Sequence, residues 1–207
     1  MFNKKVSRRA MLAMTGALTA VSLLPAGEAM AARRGSGTTT TLTAQEKSDL
    51  IFMREEEKLA RDVYLTLFEV WGTPVFANIA TSEQQHMDAI LGLLNTYKLP
   101  DPTVGKMVGE FANAELQALY DALIARGKQS ALEALMVGGV IEETDIEDLV
   151  AAMATSRLSN IDKVYQNLLN GSYNHLRAFA SNIKSLTGQP YVAQVVSQEV
   201  VDSVLGV

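Results

Sequence analysis

The imidazole of Glu83-x-x-His86 is one of only two in the chain; His175 is the other, and cysteine is absent. On a helix, residues three apart stack on one face, so Glu83 and His86 would present a carboxylate and an imidazole together. Further acids lie in two runs, Arg54-Glu55-Glu56-Glu57-Lys58 and Glu142-Glu143-Thr144-Asp145. Carboxylates and imidazoles suit hard and borderline cations such as manganese, iron and zinc, while the lack of thiolates argues against soft-metal sites. The same lack excludes zinc fingers, iron–sulfur clusters, thiol catalysis and lipid anchoring through an N-terminal cysteine.

These side chains can act together only if helices bring them together. Ala, Leu, Met and Glu are abundant and aromatic residues make up 6% of the 207 residues, which favours helix over strand. Thr43-x-x-Glu46, with Leu42 as a staple, is a capping box that opens a first helix. Its apolar positions Phe52, Leu59, Ala60, Val63, Leu67 and Val70 follow a helical period as far as Trp71-Gly72. Thr73-Pro74 starts a second helix with the stripe Phe76, Ile79, Ala80, Met87, Ile90, Leu94 and Tyr97, ended by Leu99-Pro100-Asp101-Pro102.

Asn113 caps a short helix closed by Gly127, and Ser130-x-x-Glu133 opens a long one to about Ala154, with a kink expected at Gly138-Gly139. The last long helix runs from about Asn160 to Leu186, with Gly188-Gln189-Pro190 as terminator. The tail, 189–207, is extended and then forms a short helix after Ser197. No segment alternates with period two. Short loops within two helix pairs and one crossover of about thirty residues are the layout of ferritin-like bundles, so an all-α, ferritin-like four-helix bundle is expected over 43–188.

Helical spacing places Glu56 on the inward stripe of the first helix, with Glu55 and Glu57 at its edge or outside. Glu83 and His86 face inward on the second, Glu142 and Asp145 on the next long helix, and His175 on the last, with Ser172 beside it. Glu143 and Glu147 point elsewhere. A buried, unpaired carboxylate costs several kcal/mol, about enough that four together demand a shared cation. The competing reading makes the acidic runs solvated faces and the histidines hydrogen-bonded core residues. The combination of one inward acid or imidazole per long helix favours metal, and Glu56/Glu83 and Glu142/Ser172 recur at similar spacing, as if the helix pairs were copies.

Residues 1–31 read as an export signal rather than part of the fold. Lys4, Lys5, Arg8 and Arg9 precede an apolar run from Ala10 to Leu24, then Pro25 and the small-residue cleavage site Ala29-Met30-Ala31. The run is about 15 residues, short of the roughly 20 a membrane span needs. Ser7-Arg8-Arg9-Ala10-Met11-Leu12 resembles the twin-arginine signal, which implies export of an already folded chain to the periplasm or another extracytoplasmic space; an ordinary secretory signal is the alternative. Residues 32–42 read as a polar tether. With 18 basic and 23 acidic residues the net charge is −5, which argues against a nucleic-acid partner.

Four stretches taken together resemble a known family: Phe52-Met53-Arg54-Glu55-Glu56-Glu57-Lys58-Leu59-Ala60-Arg61-Asp62-Val63-Tyr64, Ser82-Glu83-Gln84-Gln85-His86-Met87-Asp88, Ile141-Glu142-Glu143-Thr144-Asp145-Ile146 and Gly171-Ser172-Tyr173-Asn174-His175-Leu176-Arg177-Ala178-Phe179. From Leu50 to Leu186 the chain is similar to an uncharacterised bacterial and archaeal family of ferritin-like domains. The resemblance implies a four-helix bundle with a dinuclear metal site and no settled substrate. Ser172 departs from the second Glu-x-x-His of the general pattern; Asp145, three residues after Glu142, is the visible replacement in a rearranged dinuclear site, and the alternative is one weakly held metal or a single ion.

The expected ligands are Glu56, Glu83, His86, Glu142, Asp145 and His175, around two iron ions, with manganese or zinc as alternatives. In that scheme Glu56 and Glu142 are terminal or bridging, Glu83 bridges, and His86 and His175 supply one nitrogen to each metal, one histidine per ion. Oxidation of Fe(II), or reduction of oxygen or peroxide, is the expected chemistry, with Tyr64 as a redox, hydrogen-bonding or packing neighbour. Two other classes stay open: a non-catalytic periplasmic metal-binding or storage protein, and a metal-free bundle acting through protein partners.

Overall fold

A computed structural model describes residues 41–207; the signal at 1–31 and nearly all of the 32–42 tether lie outside the described residues. Those described form six helices and no strand: α1 Ala44–Trp71, α2 Pro74–Thr96, α3 Ala114–Gly127, α4 Ala131–Thr155, α5 Ser159–Thr187 and α6 Gln198–Leu205. None of them is long and apolar enough to cross a membrane.

The helix starts follow local chemistry. Thr43 Oγ1 accepts from the Glu46 amide while Glu46 Oε2 accepts from the Thr43 amide, a closed capping box. Asn113, Ser130 and Ser197 side chains accept from the first amides of α3, α4 and α6. Pro74 occupies the first turn of α2, where its missing N–H costs nothing.

Helix α1 packs on α2 and α4 on α5, while α1 also contacts α4 and α2 contacts α5. The ends fix the directions. The Arg157 amide donates to Glu46 at one end of the α1–α4 contact, and Tyr64 stands over the Gly138 carbonyl further along, so these helices are antiparallel. Tyr97 reaches Asn160 and His175 reaches Ser82, which makes α2 and α5 antiparallel too. Helix α3 lies against α1 and α4, and the Trp71 indole donates to the Gly127 carbonyl at 2.9 Å.

The crossover between α2 and α3 is fastened by one charged face of α1. Arg54 forms a two-pronged pair with Asp101, both contacts at 3.1 Å. Lys58 donates to Asp62 and, at 2.7 Å, to the Met107 carbonyl; Asp62 in turn accepts from the Gly109 amide at 2.9 Å. Glu55 Oε1 accepts from the Ala112 and Asn113 amides at 2.6 and 3.2 Å. These contacts fix the rotation of α1, and with it the direction of Glu57.

Two expectations change. Val70 is 44% exposed and lies off the core stripe. The glycine pair Gly138-Gly139 does not interrupt α4; it admits two rings. A Cβ on Gly138 would stand 2.4 Å from the Phe179 ring, and one on Gly139 2.2 Å from the Tyr191 hydroxyl. That hydroxyl donates to Glu143, whose carboxylate also accepts from the Gln194, Val195 and Val196 amides and so ties the C-terminal segment to α4.

Candidate metal centre

Glu57 of α1, Glu83 and His86 of α2, Glu142 of α4 and His175 of α5 converge at the middle of the four long helices. Glu83 sits between the imidazoles: its Oε2 is 2.7 Å from His86 Nδ1 and its Oε1 2.8 Å from His175 Nδ1. Glu57 Oε2 lies 3.2 Å from His86 Nδ1, and Glu142 Oε2 lies 3.4 Å from His175 Nδ1. The two imidazole rings are 5.5 Å apart. Two groups of donors result, Glu57–Glu83–His86 and Glu83–Glu142–His175, each with its ligand atoms within 4.8 Å of one another.

The distances between Glu83 and the histidines are those of hydrogen bonds, but the directions are not. Both Glu83 oxygens, Glu57 Oε1, Glu142 Oε2, both Asp145 oxygens and His175 Nδ1 are buried without an aligned hydrogen-bond partner. Such atoms are costly unless something else satisfies them. Donors that point at shared spaces rather than at one another fit a cation, and this donor set, all oxygen and imidazole nitrogen, fits iron, manganese or zinc. The buried Glu and His groups could therefore hold a metal ion.

Protonation tells the same story. Burial opposes charge on His86, but Glu57 and Glu83 beside it push its pKa up to about 11. His175 is pushed up to about 10 against the same burial effect, by Glu142 and Glu83. Burial would raise Glu83, yet its two imidazole neighbours hold it down to about 2. Burial lifts Glu57 to about 7, and it also raises Glu142. Asp145 stands well above the usual carboxylate range, through burial and the charges of Glu57, Glu56, Glu142 and Glu83. Without a cation, protons hold the negative charge in check; a divalent cation is their natural replacement.

Of the residues singled out by sequence, Glu83, His86, Glu142 and His175 enter the two donor groups. Asp145 is buried against the same carboxylates without joining either. Glu56 is buried but belongs to neither, while Glu57, expected at the edge or outside, is fully buried and takes part. Ser172 is buried and donates to the Leu168 carbonyl of its own helix at 3.3 Å, so it offers no donor group here. Tyr64 donates to Glu142 Oε1 at 2.6 Å, and its ring packs 5.3 Å from Phe179 and 6.2 Å from Phe76, closing one side of the centre with aromatic rings. Glu57 and Tyr64 are seven apart and share a helix face, but the apolar stripe read from the sequence ran through Glu56 and did not mark that face as inward.

The family model described as "Uncharacterized protein domain (DUF2202)" matches residues 46–207. The chain is similar to the protein named "Uncharacterized protein MJ0754" from Methanocaldococcus jannaschii, 44% identical over 164 residues that cover 79% of this chain and 88% of that one. It is also similar to the crystal structure of hypothetical protein MJ0754 from that archaeon, with a TM-score of 0.79 and 42% identity over 84% of this chain and 98% of the other. The family match takes in all five residues of the donor groups, and the protein belongs to the family of the uncharacterized domain DUF2202.

Proposed function

We propose that this protein is a ferritin-like four-helix bundle that holds two divalent cations, iron or manganese, and uses them in oxidative chemistry outside the cytoplasm. The observation that carries the reading is Glu83, a buried carboxylate between two imidazoles whose oxygens have no aligned hydrogen bond. The up–down directions of α1, α2, α4 and α5, with the crossover between pairs, support the bundle. Export rests on Arg8-Arg9 and the apolar run after them.

A bound Fe(II) pair would supply electrons to oxygen or peroxide and be oxidised to Fe(III), whether the iron is resident or is itself the substrate. The chain's own residues bind and orient. Glu57 and His86 would hold one ion and Glu142 and His175 the other, with Glu83 available to both. Asp145, a carboxyl held protonated beside both by burial and its neighbours, would gain charge only as cations enter, and the Tyr64–Phe76–Phe179 rings exclude water on one side. The protons on His86 and His175 must leave as cations enter, so loading releases acid.

Purified protein equilibrated anaerobically with Fe(II) or Mn(II) and freed of excess is expected to retain about two equivalents and to melt higher. Fewer than about 0.2 equivalents, with unchanged melting, overturns the metal reading. Exposure of the Fe(II) form to oxygen or peroxide, with further Fe(II) supplied as the electron source, then separates chemistry from storage: an absorbance change with repeated turnover supports the oxidative role, and a stable Fe(II) form rejects it.

A further inference from the structure

The two histidines present the same nitrogen, Nδ1, to the centre, but their opposite edges are held by different means. His175 Nε2 lies 2.8 Å from the hydroxyl of Ser82, the residue immediately before Glu83 on α2. Its ring is thus held at Nε2 by Ser82, while Nδ1 lies 2.8 Å from Glu83 without an aligned hydrogen bond and stays available to a cation. His86 Nε2 instead faces Gly171 of α5, where a Cβ would come within 2.4 Å of it. No substituent larger than hydrogen fits there with the ring in place. Gly171 and Ser172 therefore occupy the α5 turn that a Glu-x-x-His pattern would use for a carboxylate, and serve packing instead.

We propose that Ser82 is the positioning residue of the His175 half of the centre and Gly171 that of the His86 half: the hydroxyl and the missing side chain each aim Nδ1 at a divalent cation. This rests on the metal reading above. An imidazole free to rotate would offer either nitrogen, and outer contacts of this kind are worth roughly 10- to 100-fold in metal affinity. The two halves are thereby tunable one at a time, through different chemistry.

The test uses metal-free wild-type protein and the variants Ser82→Ala, Ser82→Thr and Gly171→Ala, each checked for an unchanged helical circular-dichroism spectrum. Titration with Mn(II), followed by the electron-paramagnetic signal of the free ion, reads the equivalents separately. Ser82→Ala is expected to weaken one equivalent about 10-fold and leave the other, with Ser82→Thr restoring it. Gly171→Ala is expected to weaken the other equivalent. Nitrogen NMR of the Zn(II)-loaded protein, simplified by having two histidines, should show Nδ1 bound in both and only His175 disturbed by Ser82→Ala. Unchanged binding in Ser82→Ala, equal weakening of both equivalents, or Nε2 ligation overturns the inference while the metal reading stands. If wild-type protein takes up neither Mn(II) nor Zn(II), both fall.

Discussion

Within nine residues of α1, from Arg54 to Asp62, buried charges are handled in two opposite ways. On the face toward the crossover, every acid has its partner: Arg54 with Asp101, Lys58 with Asp62, Glu55 with two backbone amides. On the face toward α2 and α4, Glu57 meets Glu83 and the charge of Asp145, with Glu142 on the far side of Glu83, and oxygens of all four lack aligned partners. Burial is equally deep on both faces, so burial does not distinguish them. The way the acids are partnered does: on the first face each acid meets a cation or backbone amides and the set clamps the crossover, while on the second the carboxylates crowd two imidazoles and their oxygens stay unaligned.

The comparison breaks first at the centre. Replacing Glu83 and His86 together by alanine removes the shared carboxylate and one imidazole, and metal retention in elemental analysis is expected to fall from about two equivalents to near zero. Full stoichiometry in that variant would refute the ligand assignment. The clamp should respond in the other currency. Lys58→Met leaves Asp62 buried with only Arg61 and the Gly109 amide, and is expected to cost about 3 kcal/mol in urea unfolding. Its metal stoichiometry should be unchanged, and a loss of metal without loss of stability would merge the two faces.

Asp145→Asn tests the unmatched face from the opposite direction. Removing one of the crowded carboxyl charges should stabilise the metal-free protein by about 1 kcal/mol at alkaline pH and weaken cation binding. Thermal melts with and without Mn(II) check both signs, which must be opposite.

The broadest effect is on pH. His86 and His175 titrate near 6.5 unfolded, but near 11 and 10 in the metal-free fold, so their contribution is full below pH 6.5 and lost as pH rises through 10 and 11. Glu57, raised from 4.5 to about 7, loses its contribution in the same direction as pH rises through 7. Glu83, lowered from 4.5 to about 2, does the reverse and is lost only as pH falls through 2. Metal-free protein should therefore melt lower at pH 10 than at pH 6.5. The gain on adding Mn(II) should widen over that range, because the cation no longer competes with protons.

How far the amino-acid sequence could be read differs along α1 itself. Its ends were legible because Thr43, Glu46 and Gly72 act locally, and Glu83 and His86 were legible because i,i+3 spacing is rigid. The choice between Glu56 and Glu57 was not. Successive residues are about 100° apart, and periodicity identifies an inward face only when another face meets water. From Phe52 to Tyr64 all residues but Arg61 are buried, because α2, α4, α3 and the crossover surround the helix. The Glu143 anchor was hidden for another reason: its partners, Tyr191 to Val196, lie on a distant segment that no local pattern connects to it. Gly138 and Gly139 read as a weakness because their neighbours Phe179 and Tyr191 come from elsewhere in the chain.

Anomalous diffraction from crystals equilibrated with Mn(II), recorded at the manganese edge, tests the central claim most directly. Two peaks are expected, one among Glu57, Glu83 and His86, the other among Glu83, Glu142 and His175. A map with no peak among these residues, at saturating Mn(II), would contradict that claim.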